Sequence, residues 1–481
     1  MVANVVQLTD NRKQIQQISR AFSAQREAFR AQPMPSGTER REHLKRLKRV
    51  LLANQDALCD AISEDFGGRS RDETLLAEIM PSIQNINYSL SHLSSWMKPE
   101  KRKVHVLFQP ARNEVHYEPL GVVGIMVPWN YPLFLAAGPL TAALAAGNRV
   151  MLKLSEFTPA TSALLERLLH ETFPSDLVTV INGEADVAQA FSSQPFDHLL
   201  FTGSTPIGRM VMKAAAENLT PVTLELGGKS PAIISREVPM KDAAERIAFG
   251  KCINAGQTCV APDYILCPRD RVNSFVDSFR SAVARMYPTI KDNPDYTSII
   301  NERQHERLTG VLDDARGKGA DIIQINPGNE YFGEDTRKLP PHLVLGATQD
   351  MQVLQDEVFG PLLPIVAYDQ LEDALDYVNS GPNPLALYYF GYDRSEQRRV
   401  REQTHSGGMC INDTLVHVGQ DDLPFGGVGH SGMGAYHGRE GFVTFSNARG
   451  VMSKQRLNSG KAIHAPHGTL LHRVIYKLFI R

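Results

Sequence analysis

Cysteine is scarce in this chain: Cys59, Cys252, Cys259, Cys267 and Cys410 are the five in 481 residues. An odd and scattered set does not form a disulfide framework, and no pair has the CxxC spacing of a zinc site. The expectation is a reducing compartment, the cytoplasm, and no metal. An excess of one charge is missing too. Lys and Arg number 51 against 53 Asp and Glu, a formal net charge of −2, so nothing calls for a nucleic-acid partner. The opening residues MVANVVQLTDNRKQ lack an apolar run of signal-peptide length. Internal repeats and low-complexity linkers are absent as well.

What is present is a globular composition, 42% hydrophobic and 22% charged, on a chain long enough for two or three domains. Leu120 to Asn148 carries no charge, yet Pro128, Pro132 and Pro139 interrupt it. Prolines suit a helix interior badly, so a buried strand, an irregular loop and a buried helix fit better than a membrane span. In the first hundred residues Leu44, Leu47, Leu51 and Leu58 can share one helical face. The stretch KVHVLFQPARNEVHYEP reads as a β-hairpin turning near Gln109 to Asn113, with Val104, Val106 and Phe108 on one face. Strand-like and helix-like segments then alternate from GVVGIMV to PVTLEL. Repeated βα units predict a parallel sheet covered on both faces, with ligands beyond the carboxyl ends of its strands. A second mixed α/β stretch runs from about Gly228 to Phe425.

Two glycine-bearing segments compete for a phosphate. GVGHSG, from Gly427 to Gly432, matches GxGxxG literally, but no buried strand precedes it. It reads as a loop where backbone approaches backbone. FTGSTPIG has the better context. A strand leads into Gly203 and Ser204, and a helix opens near Gly208, offering unpaired N–H groups to a pyrophosphate. An ordinary βα turn explains that segment equally well. Lys153 and Glu156 in LKLSEFTP follow another strand end. A carboxylate there accepts from ribose hydroxyls and repels a 2′-phosphate, with Lys153 opposing that repulsion. The cofactor expected is NAD, with NADP left open.

Cys259, in NAGQTCVAPD, is the candidate nucleophile. On its own it reads more readily as an inert buried thiol. Its company argues otherwise. Glu225 ends the strand-like VTLEL before two glycines, a fit place for a general base; the alternative is a carboxylate paired with Lys229. Asn130 stands between prolines in PWNYP, where a stiff loop can aim its amide into an oxyanion hole or merely cap a turn. Glu357 and Phe359 in DEVFGPLLP put an acid and a ring one residue apart, suited to a ribose and a planar ring, or simply to the start of a strand.

Taken in order, PWNYP, KLSEFTP, FTGSTPIG, ELGGKSP, GQTC, EVFGP and PFGGVGHSGMG resemble the aldehyde dehydrogenase superfamily. NYP, GQTCVAPDY and SGMGAYHG resemble its class 3 branch, and among bacterial members the coniferyl aldehyde dehydrogenases. The resemblance covers about residues 15 to 455. It implies an α/β fold with a Rossmann-like NAD-binding domain, a second α/β catalytic domain and a β-arm. Its divisions would be 1–103 and 119–227 for NAD binding, a 104–118 oligomerisation hairpin, a 228–427 catalytic domain, a 428–455 oligomerisation segment and a 456–481 tail.

The same resemblance implies Cys259 as nucleophile, Glu225 as general base, and Asn130 with the Cys259 N–H as oxyanion hole. Lys153 and Glu156 would hold the adenosine ribose, Gly203, Ser204 and Gly208 the pyrophosphate turn, and Glu357 and Phe359 the nicotinamide ribose. The reaction implied is NAD(P)-dependent oxidation of a hydrophobic aldehyde, coniferyl or medium-chain, to its acid through a thiohemiacetal and a thioester. A homodimer is implied too. Tyr131, Cys410, Asn412, His417 and Tyr436 are candidates for the substrate pocket.

Three rivals stand beside this reading: a CoA-acylating enzyme, which a retained Glu225 disfavours; a silent cofactor-binding homologue; and a cysteine hydrolase, for which none of the 15 histidines lies in a recognisable motif. In the tail, Leu471, Val474, Ile475 and Leu478 form an apolar helical face, with His472, Arg473 and Lys477 turned away. Packing on the protein's own dimer is the expectation there, with membrane-surface contact the lesser alternative.

Overall fold

A computed structural model describes residues 2–333, 336–457 and 459–480. Two largely parallel sheets dominate it. The first has six strands in the order Gly432–Met433, Val222–Glu225, His198–Thr202, Val122–Met126, Arg149–Lys153, Val178–Ile181. Only the short Gly432–Met433 strand runs antiparallel, placing Gly432 opposite Glu225. The second has seven strands and is parallel except for the Asp321–Gln324 edge strand. Buried β-rich runs such as VVGIM and HLLFT have every residue covered, as strands with helices on both faces must.

The uncharged stretch resolves into three parts. Val122–Met126 is a buried strand, a loop carries Asn130, and Phe134–Ala146 is a helix buried along its whole length with Pro139 inside it. No helix among the described residues is long and apolar enough to cross a membrane. GVGHSG is a loop of close backbone contacts. A Cβ on Gly427 would lie 2.0 Å from the Ser431 carbonyl oxygen, and one on Gly432 2.0 Å from that of Leu224.

Three local expectations need correction. Leu44, Leu47 and Leu51 share the Gly37–Ala53 helix, but Leu58 sits on the next one, Gln55–Phe66, across a break at Asn54. The hairpin is displaced. Its first strand is Glu100–Arg102, paired with Ala111–Pro119, whereas Val106–Phe108 is a single 3-10 turn. Val104, Val106 and Phe108 therefore form no strand face, and Val106 is exposed; alternation without a core to bury it does not enforce extension. Ser446–Lys454 completes this three-stranded sheet as an edge.

The tail is a helix, Leu470–Phe479, but the side turned inward is that of His472. Its Nδ1 meets the Thr469 hydroxyl at 2.8 Å, and its ring lies between those of His467 and Tyr476. Leu471, Val474 and Leu478 stay exposed on the single chain.

Candidate active site

Strand order explains why residues far apart in sequence meet. The chain moves from Val122–Met126 to one side of the sheet and returns at His198–Thr202 on the other. The carboxyl ends diverge at that switch and leave a crevice. Asn130 and Ser204 follow strands ending there, and Glu225 is the last residue of its own. Asn130, Gly203, Ser204, Glu225, Glu357, Phe359 and Cys259 line one cleft of about 820 Å³. A second cavity, about 780 Å³, approaches from the opposite side and shares Thr202, Glu225, Leu226 and Cys259 with the first. Its walls are mostly apolar and aromatic, including Leu76, Met80, Phe134, Phe249, Phe425 and Tyr436. Cys259 thus stands at the junction of a polar cleft and an apolar one.

The loop bearing Cys259 is tightly pinned. Gln257 donates from Nε2 to the carbonyls of Asn254 and Ser298, both at 3.0 Å, and its Oε1 accepts from the Ile300 N–H at 3.0 Å. Gly256 has φ +72°, and a Cβ there would lie 2.4 Å from the Gly360 carbonyl oxygen, so the GQ pair is a packing requirement. The Asn130 amide donates one N–H to the Gln257 carbonyl at 3.2 Å, which leaves its second N–H for the cleft.

The electrostatics separate the candidate base from a structural acid. Lys229 is engaged by Asp263 and by the carbonyls of Val353 and Asp356. Glu225 is buried with no partner among the described residues on either carboxyl oxygen, and that burial raises its pKa well above the usual carboxylate range. Burial, reinforced by the Glu357 and Glu225 carboxyls, pushes the Cys259 thiol up to about 12, opposed by the backbone N–H groups of Cys259 and Val260. Those two N–H groups face the sulfur. Burial pushes Glu357 to about 8, with Asp263 adding to the rise and the Gly228 N–H and Lys229 opposing it.

The cleft suits a dinucleotide. The Thr205–Ala216 helix opens on it with Ser204 as N-cap, and no side chain caps it, so N–H groups remain for an anion. Arg209, in the first turns of that helix, lines the same wall. Gly227 keeps room for Glu357: a Cβ would come within 1.9 Å of its Oε2. Phe359 has φ +46°, and its ring meets that of Trp129 edge-on at 5.2 Å, so strain and an aromatic neighbour both aim it.

Lys153 and Glu156 lie outside this wall, at the end of Arg149–Lys153, paired at 3.6 Å with the glutamate partly exposed. Gly208 is also outside it; its lack of a side chain lets Leu226 pack on the helix. Of the five pocket candidates, Tyr131 and Tyr436 line the apolar cavity. Cys410, Asn412 and His417 do not. Asn412 instead binds both the N–H and the carbonyl of Gly391. Arg209 and Trp129 join the cleft without having been candidates in the sequence; their signal is position, Trp129 within PWNYP and Arg209 directly after FTGSTPIG.

Residues 4–451 match the model of the aldehyde dehydrogenase family. The chain is 59% identical, over the full length of both, to a probable coniferyl aldehyde dehydrogenase of Pseudomonas aeruginosa. It is 48% identical to a coniferyl aldehyde dehydrogenase of a Pseudomonas species, covering 96% of each chain. Among solved structures, the substrate-bound Staphylococcus aureus AldH superposes with a TM-score of 0.91, at 36% identity, covering 96% of this chain and 99% of that one. A Pseudomonas syringae indole-3-acetaldehyde dehydrogenase solved with NAD+ gives 0.83 at 25% identity, covering 92% and 89%. A two-sheet α/β fold, a dinucleotide-shaped cleft and a cysteine at its end therefore have one shared origin: this chain belongs to the aldehyde dehydrogenase family and is an NAD(P)-dependent oxidoreductase.

Proposed function

We propose that the protein oxidises an aromatic aldehyde of the coniferyl type to its carboxylic acid, with Cys259 as nucleophile and Glu225 as base. The observation that carries this is Glu225: a buried, unpartnered carboxyl beside a thiol at the meeting of two cavities. The apolar, ring-lined cavity fits a planar aromatic substrate, in keeping with the names of the two Pseudomonas relatives.

The chain's own groups then act in sequence. Cys259 releases its proton to solvent and, as the thiolate, attacks the aldehyde carbon, so that the carbonyl oxygen of the resulting thiohemiacetal takes up the negative charge. The oxyanion that forms is met by the free N–H of Asn130 and the backbone N–H of Cys259. A bound nicotinamide nucleotide supplies a hydride acceptor. Cys259 is left as a thioester, half-buried at the junction of the two cavities. Glu225 takes a proton from one water, whose oxygen attacks the thioester carbon, and the acid departs as the thiol is restored. A base retained for this step favours water over CoA as acyl acceptor.

The nucleotide would lie along the cleft, with its pyrophosphate at Gly203, Ser204 and the helix start that Gly208 packs, and its nicotinamide ribose at Glu357 beside the Phe359 ring. Lys153 and Glu156 would close around the adenosine ribose. Replacing Glu156 with Gln is expected to raise kcat/KM for NADP relative to NAD by about fivefold, since one well-solvated charge repulsion is worth about 1 kcal/mol; an unchanged ratio would remove Glu156 from that site. Residues 1–103 and 119–227 form the nucleotide-binding part in this reading, 228–427 the catalytic part, and 104–118 with 428–455 the arm. The exposed Ser446–Lys454 edge leaves backbone groups for a second copy, which supports a homodimer. Five free cysteines support a reducing, cytoplasmic setting.

The test is NADH formation by the purified protein with coniferyl aldehyde, benzaldehyde and hexanal, without CoA. Turnover with the highest kcat/KM for coniferyl aldehyde is expected. Activity only when CoA is added would overturn the hydrolytic reading, and a preference for hexanal the aromatic one.

A further inference from the structure

The loop that presents Cys259 is held in an unfavourable shape. Asn254 and Ala255 have φ of +50° and +49°, and Gly256 follows at +72°. Two consecutive non-glycine residues in the left-handed region persist only where their surroundings over-determine them. Here the surroundings are a buried cluster of Arg69, Glu73 and Glu78 that the chemistry above does not use.

Arg69 sits over the rings of Phe66 and Tyr131, 5.1 and 4.8 Å from their centres. Its Nε donates to Glu73 Oε1 at 3.2 Å, and its Nη1 to Glu78 Oε1 at 2.8 Å and to the Asn130 carbonyl at 3.3 Å. Glu73 Oε1 accepts from the Asn254 backbone N–H at 3.0 Å, and the Thr297 hydroxyl donates to the same carboxyl. Glu78 Oε2 accepts from the N–H groups of Leu133 and Phe134 at 2.7 and 3.0 Å. The Asn254 amide closes the circuit, donating to the carbonyls of Asn130 at 3.0 Å and Gln257 at 3.1 Å.

Both loops of the proposed site, one carrying Asn130 and one carrying Cys259, are therefore tied to the same three charges. A π-helical turn, Leu75–Ile79, follows directly on the short helix that bears Glu73. Its wider winding lets two acids five residues apart converge on one guanidinium, and such turns gather at functional sites.

We propose that Arg69, Glu73 and Glu78 are positioning residues: a buried charge clamp that sets where the Cys259 sulfur stands relative to the Asn130 amide. This rests on the roles given to Cys259 and Asn130 above. A buried ion cluster is a poor source of stability compared with apolar packing, whereas a shift of about 1 Å in a reacting group lowers rate by about 10²-fold. Alignment is what the cluster provides.

The experiment compares Glu73→Ala with Glu73→Gln for kcat, for KM with coniferyl aldehyde and for the Kd of NAD, with Cys259→Ala in parallel. Gln keeps an oxygen for the Asn254 N–H and the Thr297 hydroxyl; Ala does not. Glu73→Ala should lose at least tenfold in kcat with the NAD Kd within threefold of wild type, and Glu73→Gln should recover to within threefold; Glu73 also borders the apolar cavity, so KM for the aldehyde is free to change.

A kcat for Glu73→Ala within twofold of wild type overturns the clamp. So does a Gln variant no better than Ala, or joint loss of turnover and NAD binding, either of which marks a general structural role. Should Glu73→Ala not fold, Glu73→Asp decides by the same kcat and NAD Kd thresholds. The shorter side chain keeps a carboxylate beside Arg69 and withdraws its oxygens from the Asn254 N–H. Turnover by Cys259→Ala would sink the underlying reading of the site, whereas a dead Cys259→Ala beside a normal Glu73→Ala would sink the clamp alone.

Discussion

Cys259→Ala is expected to lower aldehyde oxidation on the order of 10⁴-fold or more, the scale on which removing a nucleophile acts, while the Kd for NAD stays within about twofold. The reason for the split is geometric. Cys259 borders the dinucleotide cleft only at its inner end, where that cleft meets the apolar cavity. The helix start at Ser204, Arg209 and the Glu357–Phe359 segment are left in place. Alanine also adds no bulk at the junction, so substrate entry is unchanged. The check is NADH formation at saturating aldehyde together with nucleotide binding by fluorescence. Near-normal turnover would end the nucleophile assignment. The other four cysteines are buried and reach neither cavity, so none can take over.

Glu225→Gln should separate the two halves of the reaction. Acyl-enzyme hydrolysis is expected to fall about 10²–10⁴-fold, the usual contribution of a positioned base, with a burst of NADH close to one equivalent per site still formed. The pH dependence follows from burial. Burial raises the Glu225 pKa well above the usual carboxylate value, so the wild-type steady-state rate should climb with pH as that carboxyl ionises, and the variant should lose this limb. A burst-free variant would mean that Glu225 acts at the first step instead.

The same substitution should move stability in the opposite direction to activity. Below the unfolded carboxyl pKa, about 4.3, Glu225 is neutral in both states and favours neither. As pH rises from there toward the raised folded value and through it, the unfolded chain releases this proton more readily than the folded one, and wild type loses stability. Glutamine has no proton to lose. Its melting temperature should therefore match wild type near pH 5 and exceed it by pH 8. A difference that shrinks over that interval would contradict an unpaired, buried acid.

How much of this was legible in the residues differs from element to element. VVGIM, HLLFT and the TPATSALLERLLHET helix were readable because hydrophobic period is a local property, and their boundaries fall within a residue or two of the pattern. KVHVLF alternates but forms no strand: alternation says what a strand would bury, and here Val106 stays exposed while Lys454 lies over the Phe108 ring and Phe479 against that of His105. In the tail, helical period gives the apolar face but not the burial of His472, which local contacts with Thr469, His467 and Tyr476 bring about. At the site, motif order singles out the cysteine, the acid and the amide that line one cleft, but not the partners of each. Lys229 stands four residues from Glu225 and binds Asp263 instead.

The sequence by itself determined the chemistry available and the alternation of strands and helices, since side-chain identity and hydrophobic period are carried by neighbours along the chain. Only the tertiary structure decided which carboxyl would stand unpaired, which three residues would turn left-handed ahead of Cys259, and that Arg69, Glu73 and Glu78 would be buried together behind it. Those outcomes depend on sheet order and on contacts between residues far apart in the chain, and burial there sets both the pKa values and the strain.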